Sequence, residues 1–397
     1  MSVPPFVQLA QDVIEGNKSY EDAEKVFKSL LLQGQVDLFD VVALQHKGMY
    51  EHAIICLNLL KTIFIKSGPL YAESAAVMSN YLGFFYMECG DYNKAEDNFL
   101  YAKKAALDHK NNNLAIRCTI NIANIYTCRG LFEEAIERLK SLRNTIQGND
   151  DFWYYYYRLV CDRALADAYM RIGSYDIARK FNKSVDEQLK IIKSSPSLLK
   201  KLSDEGLELN IEIAYCNLFM ANIEWYENFY DKSIELYTKA RIVYAENNRP
   251  VLVAHCDTNI AAVYAFTGQD ELALSKYREA KAAFNEANMV VSIAECEMKE
   301  AMLLAKMGKI DDAFELLNLA RSVFDDKDIT TSVAKCDRNA ATLYCVLGDE
   351  KESLGLLQSS QSFYLKKGRI LDAAECDLGL ALISSNRKDY STAIELY

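Results

Sequence analysis

Cysteine and histidine are the residues of this chain best suited to nucleophilic or metal chemistry, and the sequence has eleven cysteines and four histidines. His255 and Cys256 are adjacent, but neighbouring residues on a helix point about 100° apart, so they cannot form a catalytic dyad unaided. The four histidines show no His-Glu-x-x-His spacing, and no glycine-rich phosphate loop or nucleophile elbow occurs. The sequence therefore predicts neither an enzyme nor a bound cofactor or metal ion.

Five of the cysteines recur at a constant interval of 40 residues: Cys216, Cys256, Cys296, Cys336 and Cys376. No close pair such as Cys-x-x-Cys occurs, and equivalent positions on stacked helices are roughly 8–10 Å apart. A disulfide needs Cα atoms within about 7 Å, and the same spacing argues against a zinc site. We therefore expect free thiols in a reducing compartment, and the interval itself predicts a repeat protein.

Turn residues and small residues recur in step with the cysteines. The predicted turns are Gly48, Gly90, Gly130, Gly173, Asn228, Gly268, Gly308, Gly348 and Lys388, which gives nine candidate helical hairpins. A small residue such as Ala261 stands seven positions before most turns, and another such as Ala273 stands five positions after. Two small residues allow the helices of a hairpin to cross closely, and glycine allows the tight reversal.

The hairpin that turns at Gly268 has a recognisable pattern, formed by Ala261, Tyr264, Gly268, Ala273, Tyr277 and Ala280. It resembles the tetratricopeptide repeat, and the 40-residue unit resembles the long-repeat subgroup of that family. HEAT and armadillo repeats share the length, but the placement of alanine and glycine favours the tetratricopeptide reading. The resemblance implies an all-α solenoid, a superhelix of about nine hairpins, whose concave groove is lined by the first helices and binds a partner protein or an extended peptide.

This resemblance covers residues 35–397, and residues 1–34 are predicted to hold two helices, Phe6 to Ile14 and Tyr20 to Leu32, that cap the first repeat. No polar solvating helix follows Leu396, although terminal repeats need one. We therefore expect the C-terminal end to lack a capping helix, so that the natural polypeptide continues or a partner covers this face. A second copy of this chain could be that partner, through self-association at the C-terminal end.

The interval between Gly173 and Asn228 exceeds the period by 15 residues, which predicts an insertion near 190–207. Ser194-Ser195-Pro196 should end one helix, and a short extra helix should follow. Six consecutive aromatic residues, 152–157, open the preceding repeat. They either pack against the insertion or form a hot spot for a protein partner.

In the tetratricopeptide family the usual groove contacts lie nine and six residues before the turn. Asparagine occurs there five times: Asn121, Asn124, Asn222, Asn259 and Asn339. A carboxamide both donates and accepts hydrogen bonds, so it can pair with a peptide backbone whatever the side chains, and the resemblance implies such a clamp. The alternative is that these asparagines bond neighbouring helices and hold the repeats in register.

Charged residues on the same predicted face supply further candidates. Arg117, Arg163 and Arg171 lie in the middle of the chain with Asp167, whereas Lys299, Lys335 and Arg338 gather in later repeats. In a chain of net charge −11 these basic patches would attract an acidic segment or a carboxylate. The alternative is that they are simply solvated.

Composition narrows the partners and the compartment. The charges are scattered, with no basic run that would follow a nucleic acid backbone. The longest apolar stretch, Ala53 to Ile65, is interrupted by Asn58 and Lys61, and no signal peptide precedes it, so no membrane insertion is expected. We therefore predict a cytoplasmic adaptor or scaffold that binds a protein or peptide. The alternatives are the sensor region of a larger signalling protein with an effector domain beyond residue 397, and a Rap-type peptide-responsive regulator.

Overall fold

A computed structural model describes residues 4–44, 49–146, 152–204, 207–327, 329–367 and 369–396. Over these residues the elements are helices without any β-strand, so the predicted all-α solenoid is confirmed. The first helices of the hairpins are α5 (Ala72–Glu88), α7 (Asn112–Cys128), α9 (Phe152–Arg171), α12 (Leu209–Tyr226), α14 (Pro250–Phe266), α16 (Val290–Lys306), α18 (Thr330–Leu347) and α20 (Ile370–Asn386). The second helices are α6 (Tyr92–Asp108), α8 (Phe132–Thr145), α10 (Tyr175–Ser194), α13 (Tyr230–Glu246), α15 (Asp270–Glu286), α17 (Ile310–Asp326), α19 (Glu350–Lys366) and α21 (Tyr390–Leu396).

Each of these hairpins reverses at the predicted turn residue, which has a positive φ in every case, for example 78° at Gly90. Asn228, at 66°, takes the place of glycine in one hairpin because the short polar side chain of asparagine tolerates the left-handed conformation. These eight turn predictions are confirmed. The ninth, Gly48, lies outside the described residues.

The small residues bring the two helices of a hairpin close together. A Cβ atom at Gly83 would lie only 2.7 Å from the ring of Phe99 on the partner helix. Where serine replaces alanine, its hydroxyl is satisfied, since Ser233 and Ser353 each donate a 2.8 Å hydrogen bond to a backbone carbonyl of the facing helix. All eleven cysteines are free thiols, and the seven that lie twelve residues before a turn are buried. The predicted absence of disulfides is confirmed.

The N-terminal helices pack against the start of the solenoid. They are α1 (Pro5–Ile14), α2 (Tyr20–Leu32), α3 (Leu38–Val42) and α4 (Tyr50–Lys66). Ser19 caps α2, because its hydroxyl oxygen accepts a 3.1 Å hydrogen bond from the backbone N–H of Asp22. Both α1 and α2 contact α4, and the thiol of Cys56 on α4 lies 3.8 Å from the carbonyl oxygen of Phe6.

The extra residues after Gly173 form a long α10 and a further short helix, α11 (Pro196–Asp204). Leu202 of α11 packs in one apolar cluster with Phe152 and Tyr156 of α9. The aromatic run therefore does pack against the insertion, which was one of its two expected roles.

The superhelix winds until its early and late repeats meet. A Cβ atom at Gly90, in the α5–α6 turn, would lie 2.3 Å from the side chain of Val291 on α16. One at Gly130, in the α7–α8 turn, would lie 2.7 Å from Thr331 on α18. We call these two approaches the closure contacts. They join the early repeats to the late ones across the space between the first helices. Within the described ranges, none of the helices combines the length and apolarity that a membrane span requires.

Candidate functional site

Two adjoining cavities lie along the first helices, inside the closed superhelix. The Glu88 cavity has a volume of about 520 Å³ and is lined by α5, α7, α9, α12, α14 and the start of α4. The Lys299 cavity has a volume of about 450 Å³ and extends to α16 and α18. Both are lined by Cys128, Arg171, Asn222 and Asn259, so they form one continuous groove. Each volume falls in the range typical of ligand sites.

The lining residues follow a single stripe on each helix. On α14 the stripe is Val251, His255, Asn259 and Ala262, and on α16 it begins Val291, Glu295 and Lys299. Residues three or four positions apart share one helical face. The stripes thus extend two turns beyond the expected contacts towards the N-terminus, to seventeen residues before the turn, and on some helices one turn towards the C-terminus, to two residues before it.

The structure brings seven of the eleven predicted site residues to this groove. Six of them line the Glu88 cavity: Asn124, Arg163, Asp167, Arg171, Asn222 and Asn259. The seventh, Lys299, lines the Lys299 cavity together with Arg171, Asn222 and Asn259. Arg117, Asn121, Arg338 and Asn339 do not line either cavity. The carboxamide nitrogen of Asn121 donates to Asn80 at 3.4 Å, and Arg338 pairs with Glu375.

The three asparagines of the Glu88 cavity differ in their bonding. Asn222 accepts a hydrogen bond from the hydroxyl of Tyr237, and so has a structural partner, like Asn121. Among the described residues, neither Asn124 nor Asn259 has a side-chain hydrogen bond. Their donors and acceptors are therefore open to a ligand in the cavity.

The arginines of the Glu88 cavity are all paired. Arg163 lies 2.6 Å from Glu212 and over the ring of Tyr215, while Arg171 pairs with Asp167 at 3.1 Å. The Asp167 carboxylate raises the pKa of Arg171 above its ordinary value. Arg249 lies 3.5 Å from Glu208. The protein itself thus neutralises Arg163 and Arg171, whereas Arg249 makes only a longer ion pair with an exposed carboxylate.

Glu88 is the exception in this cavity. It lies at the end of α5, where Tyr50, Phe84 and Met87 also line the cavity. Within the described part of the chain its carboxylate has no ion pair and no hydrogen bond. Burial raises the pKa of Glu88 from an ordinary 4.5 to about 7, because apolar surroundings disfavour the charged form.

The Lys299 cavity contains unpaired cations. Neither Lys299 nor Lys335 has an ion pair among the residues that the structure describes, whereas Arg369 is held by Asp372 at 2.6 Å. Burial lowers the pKa of Lys335; the Asp372 carboxylate opposes this, and the neighbouring guanidinium groups act in the same direction as burial. Glu295, also in this cavity, stands four residues before Lys299 but forms no ion pair within 4.0 Å.

Sequence reasoning missed three groove residues that stand two positions before a turn: Glu88, Cys128 and Tyr226. Arg171, at the same position of its repeat, was selected because of its charge. Extending the predicted stripe by one step of four residues would have found the others. No group of three or more His, Cys, Asp or Glu residues in the described ranges is placed to hold a metal ion.

Fold and groove together define a helical-repeat solenoid with a continuous groove along its first helices. No protein-family model and no curated protein matches the chain. Among solved structures, it is similar to a Rap protein complexed with competence and sporulation factor, with a TM-score of 0.60, 11% identity, and coverage of 91% of this chain and 99% of that one.

Two further solved structures are similar. One is NprR in complex with its cognate peptide NprX, with a TM-score of 0.53, 12% identity, and coverage of 76% of this chain and 86% of the other. The other is the Rap conjugation gene regulator of the plasmid pLS20 in complex with the Phr* peptide, with a TM-score of 0.51, 16% identity, and coverage of 99% and 93%. At such identities the likeness shows the fold alone. The chain is thus similar in fold to tetratricopeptide-like helical-repeat proteins, and its place in the 40-residue subgroup stays a prediction.

Proposed function

We propose that this chain is a peptide-binding adaptor or regulator that holds a short extended peptide in the groove between its first helices. The observation that carries the proposal is the pair of open carboxamides, Asn124 and Asn259, in a partly open groove that both apolar and charged side chains line. Each can donate to and accept from a peptide bond. Such a bond contributes about 0.5–1.5 kcal/mol, and apolar contacts with the walls would supply the remaining affinity.

The solved structures with a similar fold support this proposal. NprR and the Rap regulator of pLS20 were both solved with a peptide bound. The eleven free thiols fit action in a reducing cytoplasm. The protein acts by complementarity on a preformed surface and carries out no reaction.

A synthetic library of hexapeptides, selected on the immobilised protein and identified by mass spectrometry, tests the proposal. Retained peptides should bind the Asn124→Ala/Asn259→Ala double variant about tenfold more weakly or worse in calorimetry. The matched control is Asn285→Ala, an exposed asparagine on the second helix α15, which should bind as the wild type does. Retention of no peptide, or equal binding by the double variant, would refute the proposed function.

A second candidate is a regulator that changes shape on binding, as the resemblance to Rap-type regulators implies. The closure contacts favour it, because they join early and late repeats across the groove, and opening them would widen the groove without breaking any hairpin. A peptide that touches both walls would hold the early and late repeats together. Small-angle scattering should then show a smaller radius of gyration with a retained peptide than without, and an unchanged radius would count against this candidate.

A further inference from the structure

The two ends of the groove differ in the charge that the protein leaves uncompensated. In the Glu88 cavity each arginine lies within ion-pair distance of a carboxylate, as described above, whereas the carboxyl group of Glu88 has no cationic partner among the described residues. This carboxylate lies among Tyr50, Phe84 and Met87. Removing a charge from water without a partner is costly, and a cation supplied from outside would offset that cost.

At the other end the excess charge is positive. Lys299 and Lys335 line the cavity without ion pairs among the described residues, against one unpaired carboxylate, Glu295. Arg171 and Arg369 are also present but are held by Asp167 and Asp372. An anionic group of a ligand would pair with the lysines and offset both the desolvation of the Lys335 ammonium and its repulsion from the neighbouring guanidinium groups.

The residues shared by both cavities separate these two ends. Cys128, Asn222 and Asn259 belong to both, whereas Glu88 lines only the first cavity and the two lysines only the second. A ligand that bridges the groove therefore passes the Asn259 carboxamide in its middle and meets opposite charges at its ends.

We propose that the groove selects the direction of its peptide by charge, with a cationic group of the peptide at Glu88 and an anionic group at Lys299 and Lys335. The cation is an N-terminal ammonium or a Lys or Arg side chain, and the anion is a C-terminal carboxylate or an Asp or Glu side chain. This inference rests on the proposed function, since it specifies the peptide that the groove would take.

Three hexapeptide libraries test it: one with free termini, one N-acetylated and one C-amidated. Wild type should enrich peptides with a cation towards one end and an anion towards the other. Glu88→Gln should bind the enriched peptides about tenfold more weakly and lose the preference for a cation, while its preference for an anion persists. Lys299→Gln/Lys335→Gln should lose the preference for an anion and keep the preference for a cation. The control is Glu137→Gln, an exposed carboxylate on α8, which should select as the wild type does.

The blocked libraries separate the sources of each charge. Loss of the cation preference on acetylation assigns it to the ammonium, and loss of the anion preference on amidation assigns it to the terminal carboxylate, whereas unchanged preferences assign both to side chains. If wild type retains peptides and Glu88→Gln selects the same ones with the same affinity, charge direction is refuted while peptide binding stands. If wild type retains none, the proposed function fails, and this inference fails with it.

Discussion

Replacing Glu88 with glutamine should make the ligand-free protein more stable at neutral pH. Glutamine keeps the shape of the side chain but removes a carboxylate that the described part of the chain leaves without a cationic partner. Below the pKa of the unfolded chain, wild-type Glu88 is protonated in both states, and the two proteins should have nearly equal stability. The gain should therefore appear only as pH rises.

The size and sign follow from the raised pKa. Burial moves the pKa of Glu88 from 4.5 to about 7, so the folded state binds the proton more tightly than the unfolded state does. The free energy of unfolding of wild type then falls as pH rises from about 4.5 to 7 and is level above. At about 1.4 kcal/mol for each pKa unit, the whole effect is about 3 kcal/mol. Glu88 is only partly buried, so solvent in the groove screens its charge. We therefore expect the stability difference between the two proteins to grow by about 2 kcal/mol between pH 5 and pH 8.

Urea denaturation followed by circular dichroism at pH 5, 6, 7 and 8 measures this difference. Other titrating groups of the cavity, His255 among them, are common to both proteins and cancel in the comparison. The exposed Glu137→Gln serves again as the control and should show no such pH dependence. A gap between wild type and Glu88→Gln that stays constant with pH, or a wild type that is the more stable at pH 8, would refute the reasoning. It would mean that the ligand-free protein already stabilises the carboxylate.

Three further predictions concern the closure, the groove wall and the thiols. Gly90→Ala should enlarge the radius of gyration in small-angle scattering because its Cβ collides across the closure. Gly268→Ala has the same positive φ but open space, and should cost only about 1–2 kcal/mol of stability without expansion; equal expansion would contradict the closure. Arg163→Met should lower the free energy of unfolding, measured in urea, by about 3 kcal/mol because it leaves the Glu212 carboxylate without its ion-pair partner. Arg163→Met/Glu212→Gln should recover most of that loss, and no recovery would show that the pair is not coupled. In the native protein N-ethylmaleimide should modify the partly exposed Cys345 first. The seven cysteines before the turns should react only on unfolding, because burial raises the pKa of their thiols to about 11 or 12. Peptide mass spectrometry locates the adducts, and adducts at these seven cysteines in the folded protein would contradict the prediction.

The hairpins could be predicted from the sequence because their causes are local. Gly268 allows the reversal, and Ala261 and Ala273 allow the helices to cross, all within one repeat. The end of α10 at Ser194 and the start of α11 at Pro196 are also local, because proline disfavours a continuing helix and suits the first turn of a new one. Asn182 stands nine residues after its turn, where the Gly268 hairpin has Tyr277, and it is nevertheless buried in a continuous α10.

The groove could be predicted only in part, because its enclosure is not local. The position of Val291 against Gly90 depends on small rotations between successive repeats that accumulate along the superhelix. The stripe of Asn124, Asn222 and Asn259 follows from helical periodicity. The partial burial of Glu88, however, depends on helices of later repeats, α12 and α14 among them, that line the same cavity, and no spacing within its own repeat indicates this.

The closure contacts have a consequence for the order in which the protein folds. Almost every other packing contact joins helices that are neighbours in sequence, and such local contacts form quickly. Gly90 and Val291 are about 200 residues apart, so their contact requires a large loop to close after the hairpins exist. Closure should therefore be the last step of folding and the first to open when the native protein fluctuates. Hydrogen exchange at the start of α16 would then report the lifetime of the closed groove, and a bound peptide should lengthen it.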